Sequence, residues 1–445
     1  MRDEPAAGAF LNMARRREFP GELNLFQRMM LRWRELHPYN AVHVVYVAQP
    51  LDAIRVRGAV AASLQAMGIA DFALDATRRR YVYRGGPVEP ALEVIDAADA
   101  DLDRVLSREI GAELNRPFAI GAPLRFFAVA SPAGFHLALA YDHFIAGGDS
   151  AAALLGIVVA RIVGAPVDDA ALRPALYPAT YASLVRRHPA WFARALAAMP
   201  AIARDSKSVY RCADRDPEDT HNAFEVIRVD AADTATLRRR ARAQGVTLHD
   251  LVVAIMLKTL APIAAGRVRE HRRREIGVAS IVNIRKDFGV ETAGAFGQFL
   301  ASMRIAHAVP DGVGIDALAR DVRAITSPIK RRRLYLRTLY GLLFASAAWR
   351  FMSVGQRLRF YAKHHPAWAG VSMLDVDPLW PPSLRPAARY TRGVSTGPLT
   401  PAVLAISTTT TGMSVGVSWR RAVLPDEFPH RLQSEISLCA RDSTS

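Results

Sequence analysis

Apolar and polar positions change their period along this chain, and the changes divide it into elements. The β-branched run Val42-His43-Val44-Val45-Tyr46-Val47 reads as a strand, and helical spacing follows from Ile54 to Met67. In residues 135 to 142, Phe135, Leu137, Leu139 and Tyr141 alternate with His136, Ala138, Ala140 and Asp142. Both sets are mostly apolar, so a strand covered on both faces is expected. A turn, Phe144-Ile145-Ala146-Gly147-Gly148, comes next. Asp149 or Ser150 is the expected cap of a helix whose apolar positions Leu154, Leu155, Val158, Val159 and Ile162 are helically spaced.

Residues 166 to 220 are proline-rich and weakly periodic, and the expected link between two compact lobes lies there. The division is residues 1–175, a connection over 176–220, and 221–445. The second part opens with a strand at Phe224 to Val229 and a helix capped by Asp230 and closed at Gly245. A further helix begins at Thr247, with Asp250 as its capping-box partner. Strand-like segments recur at Glu275 to Val282, Phe299 to Ile305, Val403 to Thr409 and Ser414 to Trp419. The fold class is therefore α/β or α+β. Leu334 to Tyr361 is apolar but studded with Arg337, Arg350, Arg357 and Arg359. It reads as a helix packed against a lobe in preference to an interfacial membrane helix.

Composition narrows the function. The 445 residues suffice for two cores, and Cys212 and Cys439 are too few for a disulfide framework. No apolar run reaches the eighteen or so residues of a membrane span, so a cytoplasmic protein is expected, at most peripheral to the inner membrane. The net charge is +16. The triplets Arg78-Arg79-Arg80, Arg238-Arg239-Arg240 and Arg272-Arg273-Arg274 lack interleaved aromatics, which argues against nucleic acid. An arginine surplus still suits a phosphate or an acidic carrier protein. Neither a GxSxG elbow nor a phosphate-binding glycine motif occurs, and the histidines lack metal-ligand spacing.

His143 ends the expected buried strand just before the glycine turn, where a helix N-terminus would favour a neutral imidazole able to accept a proton. Asp142-His143-Phe144-Ile145-Ala146-Gly147-Gly148 resembles the HHxxxDG motif of a superfamily. Its members include chloramphenicol acetyltransferases, nonribosomal peptide condensation domains, plant BAHD acyltransferases and bacterial wax ester synthases. His143 falls on the motif's second histidine, Asp142 replaces the first, and Gly147 replaces the aspartate, with Asp149 the candidate to take over. Asn115-Arg116-Pro117-Phe118 with Pro123-Leu124-Arg125-Phe126 resembles the family's approach to the active-site strand. Gly245 to Asp250, Val282-Asn283-Ile284-Arg285 with Gly294 to Phe299, Gly370-Val371-Ser372, and Ser407 to Trp419 resemble later segments in the same order.

The resemblance implies two chloramphenicol-acetyltransferase-like lobes, each a mixed sheet flanked by helices, with an active-site tunnel between them. It implies acyl transfer from a thioester to a hydroxyl or amine, with His143 as general base. Arg125 or Arg285 would brace the loop of Asp142, Gly147, Gly148 and Asp149. Asn283, Ser372, Ser407 and Thr408 would be candidate oxyanion or substrate contacts. The donor would be acyl-CoA or a phosphopantetheine-linked acyl group used as substrate, with no permanently bound cofactor and no metal. The partners would be a small-molecule donor and acceptor and an acyl or peptidyl carrier protein, and the chain a monomer. The alternative is a catalytically silent relative kept as a scaffold, which the loss of the aspartate at Gly147 favours. His364-His365-Pro366-Ala367-Trp368-Ala369-Gly370 shows similar spacing but follows an arginine-rich helical segment, so a surface loop is expected there.

Overall fold

The computed structural model describes residues 18–441 except 76, 78, 86–88, 170–179, 213–215, 217–218, 290–295, 388 and 398–399. Gly294, Arg78 and part of the expected connection lie outside the described residues.

A five-stranded mixed sheet anchors the first lobe, in the order Tyr390–Val394, Asn40–Val47, Gly134–Asp142, Leu124–Ser131, Leu92–Asp96. Every residue of Gly134–Asp142 is buried. The two-sided apolar alternation explains this. Phe135, Leu137, Leu139 and Tyr141 join the core shared with helices Ala53–Ala66 and Gly148–Val163. Ala138 and Ala140 pack on the other face against Leu106, Ile110 and Leu114 of helix Leu102–Asn115. A small antiparallel sheet, Glu18–Glu22, Arg80–Arg84 and Asp71–Asp75, flanks this lobe.

The second lobe is a six-stranded mixed sheet in the order Leu300–His307, Ile276–Asn283, Ala369–Asp375, Ala402–Thr409, Gly412–Arg420, Asn222–Asp230. Helix Leu248–Leu260 fills its core with Leu251 to Leu257 all buried. Its capping box forms as expected: Thr247 accepts from the Asp250 amide, and Asp250 from the Thr247 amide at 3.0 Å. Helix Ala231–Ala243 is capped by Asp230.

Among the described residues, one strand crosses the division by sequence. Tyr390–Val394 lies beyond the expected connection yet pairs antiparallel with Asn40–Val47 in the first sheet. Its passage is close: a Cβ on Gly416 would lie 1.9 Å from the Arg392 carbonyl oxygen, so only glycine lets the strand pass over Gly412–Arg420. The expected connection itself contains three short helices, Ala182–Arg187, Pro189–Ala197 and Met199–Ser208. The segment Leu334 to Tyr361 breaks into helices Arg337–Ala348 and Val354–His364 with 3-10 turns. Leu339, Leu342, Ala345 and Trp349 face inward, whereas Phe344 and Phe351 are 61% and 89% exposed.

Candidate active site

Strand Gly134–Asp142 delivers His143 to the lobe junction, and the chain then turns into helix Gly148–Val163. Neither Asp149 nor Ser150 caps that helix. The cap is Gly147, which has no side chain, while Asp149 and Ser150 sit within the first turn. Their side chains serve the turn instead. Asp149 Oδ2 accepts from Arg285 Nε at 2.7 Å and Asn283 Nδ2 at 2.9 Å, and its Oδ1 from the Ser150 amide at 2.9 Å. Arg285 Nη2 reaches Ser150 Oγ at 3.0 Å, and the guanidinium lies 4.1 Å over the Phe299 ring. The Gly147 amide and Ser150 Oγ both donate to the Gly297 carbonyl, at 2.9 and 3.1 Å. A Cβ on Gly147 would stand 3.0 Å from Asp149 Oδ1. The Asp149 carboxylate thus borders the space a side chain at 147 would use.

His143 is buried and stacks on Tyr39 with ring centroids 5.3 Å apart. Its Nδ1 lies 3.1 Å from the Ala146 carbonyl oxygen. A carbonyl can only accept, so Nδ1 carries the hydrogen and Nε2 keeps its lone pair. Gln298 Nε2 donates to the His143 carbonyl at 2.7 Å, fixing the residue's backbone. Burial pushes the His143 pKa down to about 4, Arg392 adds to that, and the Ala146 carbonyl opposes it. Burial, rather than the helix terminus, is the main reason the ring is neutral.

Side chains that sequence reasoning missed surround it. His43 is wholly buried between two tyrosines, its Nδ1 2.5 Å from Tyr390 Oη and its Nε2 3.2 Å from Tyr141 Oη. Antiparallel register places Arg392 directly opposite His43. Burial, and then the Arg392 charge, hold the His43 pKa well below its usual value. Arg392 Nη2 donates to the carbonyls of Ser372 and Ile406 at 2.8 and 2.7 Å and to Ser372 Oγ at 3.2 Å. His43 and Arg392, with His143, Gly148, Ser372 and Tyr141, line a cavity of about 480 Å³. Its walls are otherwise mainly apolar and aromatic, including Phe26, Met30, Trp33, Leu342 and Phe360.

Several expected site residues stand elsewhere. Arg125 pairs with Glu113, at 2.8 Å through Nε, and lies 3.6 Å over Phe118, so it does not brace the motif loop. Asp142 alternates away from His143 on the strand and forms an ion pair with Arg34 at 2.7 Å. Burial raises its pKa to about 6 against the pull of Arg34. Asn283 is occupied by Asp149, Thr408 Oγ1 lies 3.4 Å from Asp375, and Ser407 is buried off the cavity. The motif-like His364 and His365 do not form a surface loop. They end helix Val354–His364 and line the same cavity as His143. Burial takes the His365 pKa down to about 3. Among the described residues no group of three or more His, Cys, Asp or Glu side chains could hold a metal ion.

No family model matches the chain, nor does any curated protein in sequence. Solved structures do match in shape. The first condensation domain of the calcium-dependent antibiotic synthetase, in complex with a substrate analogue, is similar with a TM-score of 0.68 at 16% identity, over 96% of this chain and 98% of that one. The starter condensation domain of rhizomide synthetase, a mutant in complex with C8-CoA and Leu-SNAC, gives 0.63 at 13% identity over 96% and 95%. The epimerization domain from the third module of tyrocidine synthetase B gives 0.60 at 11% identity over 96% and 98%. Over 96% of its length the chain matches the two-lobed, chloramphenicol-acetyltransferase-like fold of the condensation domains.

Proposed function

We propose that the protein transfers an acyl group from a thioester, on coenzyme A or a carrier protein's phosphopantetheine, to a hydroxyl or amine, with His143 as general base. The observation that carries this reading is the His143 ring. Its Nδ1 is tied to the Ala146 carbonyl, its pKa lies below neutrality, and its other nitrogen is left for the cavity. Nε2 takes the acceptor's proton as the oxygen or nitrogen attacks the thioester carbonyl. The tetrahedral intermediate then collapses with cleavage of the carbon–sulfur bond, and the proton passes to the thiolate. No acyl-enzyme is required. The apolar walls suit an acyl chain, and the Asp149–Arg285 pair favours a working loop over a silent one.

The test is His143→Ala, assayed by mass spectrometry with acyl-CoA and acyl-carrier donors against alcohols and amines. A loss of roughly a hundred- to ten-thousand-fold is expected, the usual worth of general-base assistance. Turnover near that of the wild type removes the base. A wild type that binds donor but transfers nothing to any acceptor favours the scaffold reading.

A further inference from the structure

Helices Arg337–Ala348 and Val354–His364 reverse the chain about the turn Trp349–Phe351, with the Phe344 and Phe360 ring centroids 5.9 Å apart. Leu339, Leu342, Ala345 and Trp349 pack this hairpin onto the protein, but its outward face has no partner. Of the twelve exposed large hydrophobic side chains among the described residues, four fall within residues 343–354: Leu343, Phe344, Phe351 and Val354. They include both exposed phenylalanines, whereas the other eight are spread from residue 54 to residue 438. Single exposed apolar residues are ordinary, and a cluster of this kind marks a binding face.

Arginines surround the cluster. Arg32 Nη1 donates to the Ser346 carbonyl at 3.0 Å, Arg357 Nε donates to the Met352 carbonyl at 3.1 Å, and Arg350 directly precedes Phe351. Arg28 and Arg79 belong to the same group. Burial lowers the Arg28 pKa, and the charges of Arg79, Arg32 and Arg350 lower it further. Burial also lowers that of Arg32, with Arg357 and Arg350 adding to it. Glu35 opposes them at Arg32 but is itself paired with Arg357 at 2.8 Å. Among the described residues no carboxylate forms an ion pair with Arg28, Arg32, Arg79 or Arg350. Five like charges thus stand around exposed phenylalanines, and the partner that suits both is anionic outside and apolar within.

A second copy of the chain would set the same five charges against each other across a two-fold axis. An acidic carrier protein would pair with the arginines, but it delivers its acyl group on an arm and has no use for apolar side chains that lead inward. These do lead inward, since Phe344 is exposed and also forms part of the wall of the cavity that holds His143, as does Phe360. A bilayer with anionic head groups matches both properties. Phenylalanine inserts at the acyl boundary, and arginines reach up to the phosphates.

We propose that residues 343–354 and the five arginines around them form a docking face for an anionic lipid bilayer, with Phe351 and Phe344 below the head groups and the His143 cavity opening at the lipid boundary. The face stands on geometry and charge and does not depend on acyl transfer.

The full-length protein is sedimented with phosphatidylcholine vesicles made with and without phosphatidylglycerol. Wild type should bind the anionic vesicles at least roughly tenfold more tightly, the pull of a few arginines on a negative surface. Phe351 is 89% exposed, so Phe351→Ser spares the fold. It should weaken binding by roughly tenfold or more, the worth of burying one phenylalanine. Arg79→Gln/Arg350→Gln should also weaken it, whereas Arg238→Gln/Arg242→Gln, which removes the same charge from helix Ala231–Ala243, should leave it unchanged. On the unaltered protein, amide hydrogen exchange over residues 343–357 should slow with anionic vesicles while that of helix Phe428–Arg441 stays as it was. Equal binding to the two vesicles, equal losses from the two arginine pairs, or unprotected amides over residues 343–357 overturns the face. Binding of an acidic carrier protein in place of vesicles, lost in Phe351→Ser, overturns the lipid assignment as well.

Discussion

Moving the bracing carboxylate from residue 149 to residue 147 tests whether it is the position of the charge, rather than the residue number, that holds the loop after His143. Asp149 and Arg285 have side chains only 11% and 10% exposed, so their ion pair is nearly dry. Asp149→Ala removes the carboxylate from Arg285, and breaking one side of such a pair costs about 3–5 kcal/mol, here toward the lower end because contacts such as Ser150 Oγ and the Phe299 ring survive. Gly147→Asp alone sets a second carboxylate near the first, since even its Cβ would sit 3.0 Å from Asp149 Oδ1. Two like charges about 4 Å apart at an effective dielectric near 20 repel by about 4 kcal/mol, of which a shared Arg285 recovers part, leaving a cost of about 2 kcal/mol. The double variant Gly147→Asp/Asp149→Ala has the space and one carboxylate, and should be more stable than Asp149→Ala by about 1–3 kcal/mol. The cycle then yields a favourable coupling of roughly 3–5 kcal/mol. Urea denaturation of the four proteins, followed by tryptophan fluorescence, measures it. Additive effects, or a Gly147→Asp protein as stable as the wild type, would refute the account of Asp149 as the motif aspartate displaced.

Acid should unfold this protein early. His37, His43, His136, His143 and His365 are all depressed chiefly by burial, His136 and His143 to about 4 and His365 to about 3. Below pH 6.5 the unfolded chain binds protons the native state refuses, so each contributes a loss of up to about 1.4 kcal/mol per pH unit. Asp142, raised to about 6, acts in the opposite sense but is one group against five. The urea midpoint should fall steadily from pH 6.5 to 5, and a flat or rising midpoint contradicts the burial of neutral rings. Gly416→Ala drives a methyl into the Arg392 carbonyl at 1.9 Å, so Tyr390–Val394 cannot seat. Limited proteolysis should cut near residues 390–400 far faster than in wild type, and an unchanged digest refutes the close crossing.

Legibility in the sequence followed what each signal depends on. The strand before His143, the capped helices after Asp230 and Thr247, and five of the six strands of the second sheet follow from period and caps, which are local properties. The crossing strand Tyr390–Val394 is short and carries Thr391 and Arg392, so by composition it reads as a loop. Its burial comes from partners distant in the chain. His365 looked unpromising for the same reason, since nothing beside it in sequence says that the end of its helix closes on the cavity. Ser407 had the right composition but the wrong distance. Val403 lines the cavity on the same strand, and Ser407 lies four residues further along, about 13 Å away at 3.3 Å per residue.

The same distinction explains why a degenerate motif can leave an intact loop. A motif's spacing stands in for where its side chains end up. The shift from residue 147 to residue 149 moves the acid from the cap into the first turn of the helix, yet it still reaches Arg285 and Ser150. His43 and Arg392 make the complementary case. No linear pattern links them, yet strand register sets them face to face beside His143, where one guanidinium adds to the burial that lowers both imidazole pKa values. The electrostatics of this site are therefore a property of the sheet. Substitutions on the crossing strand should shift the His143 pKa while leaving the loop after His143 untouched.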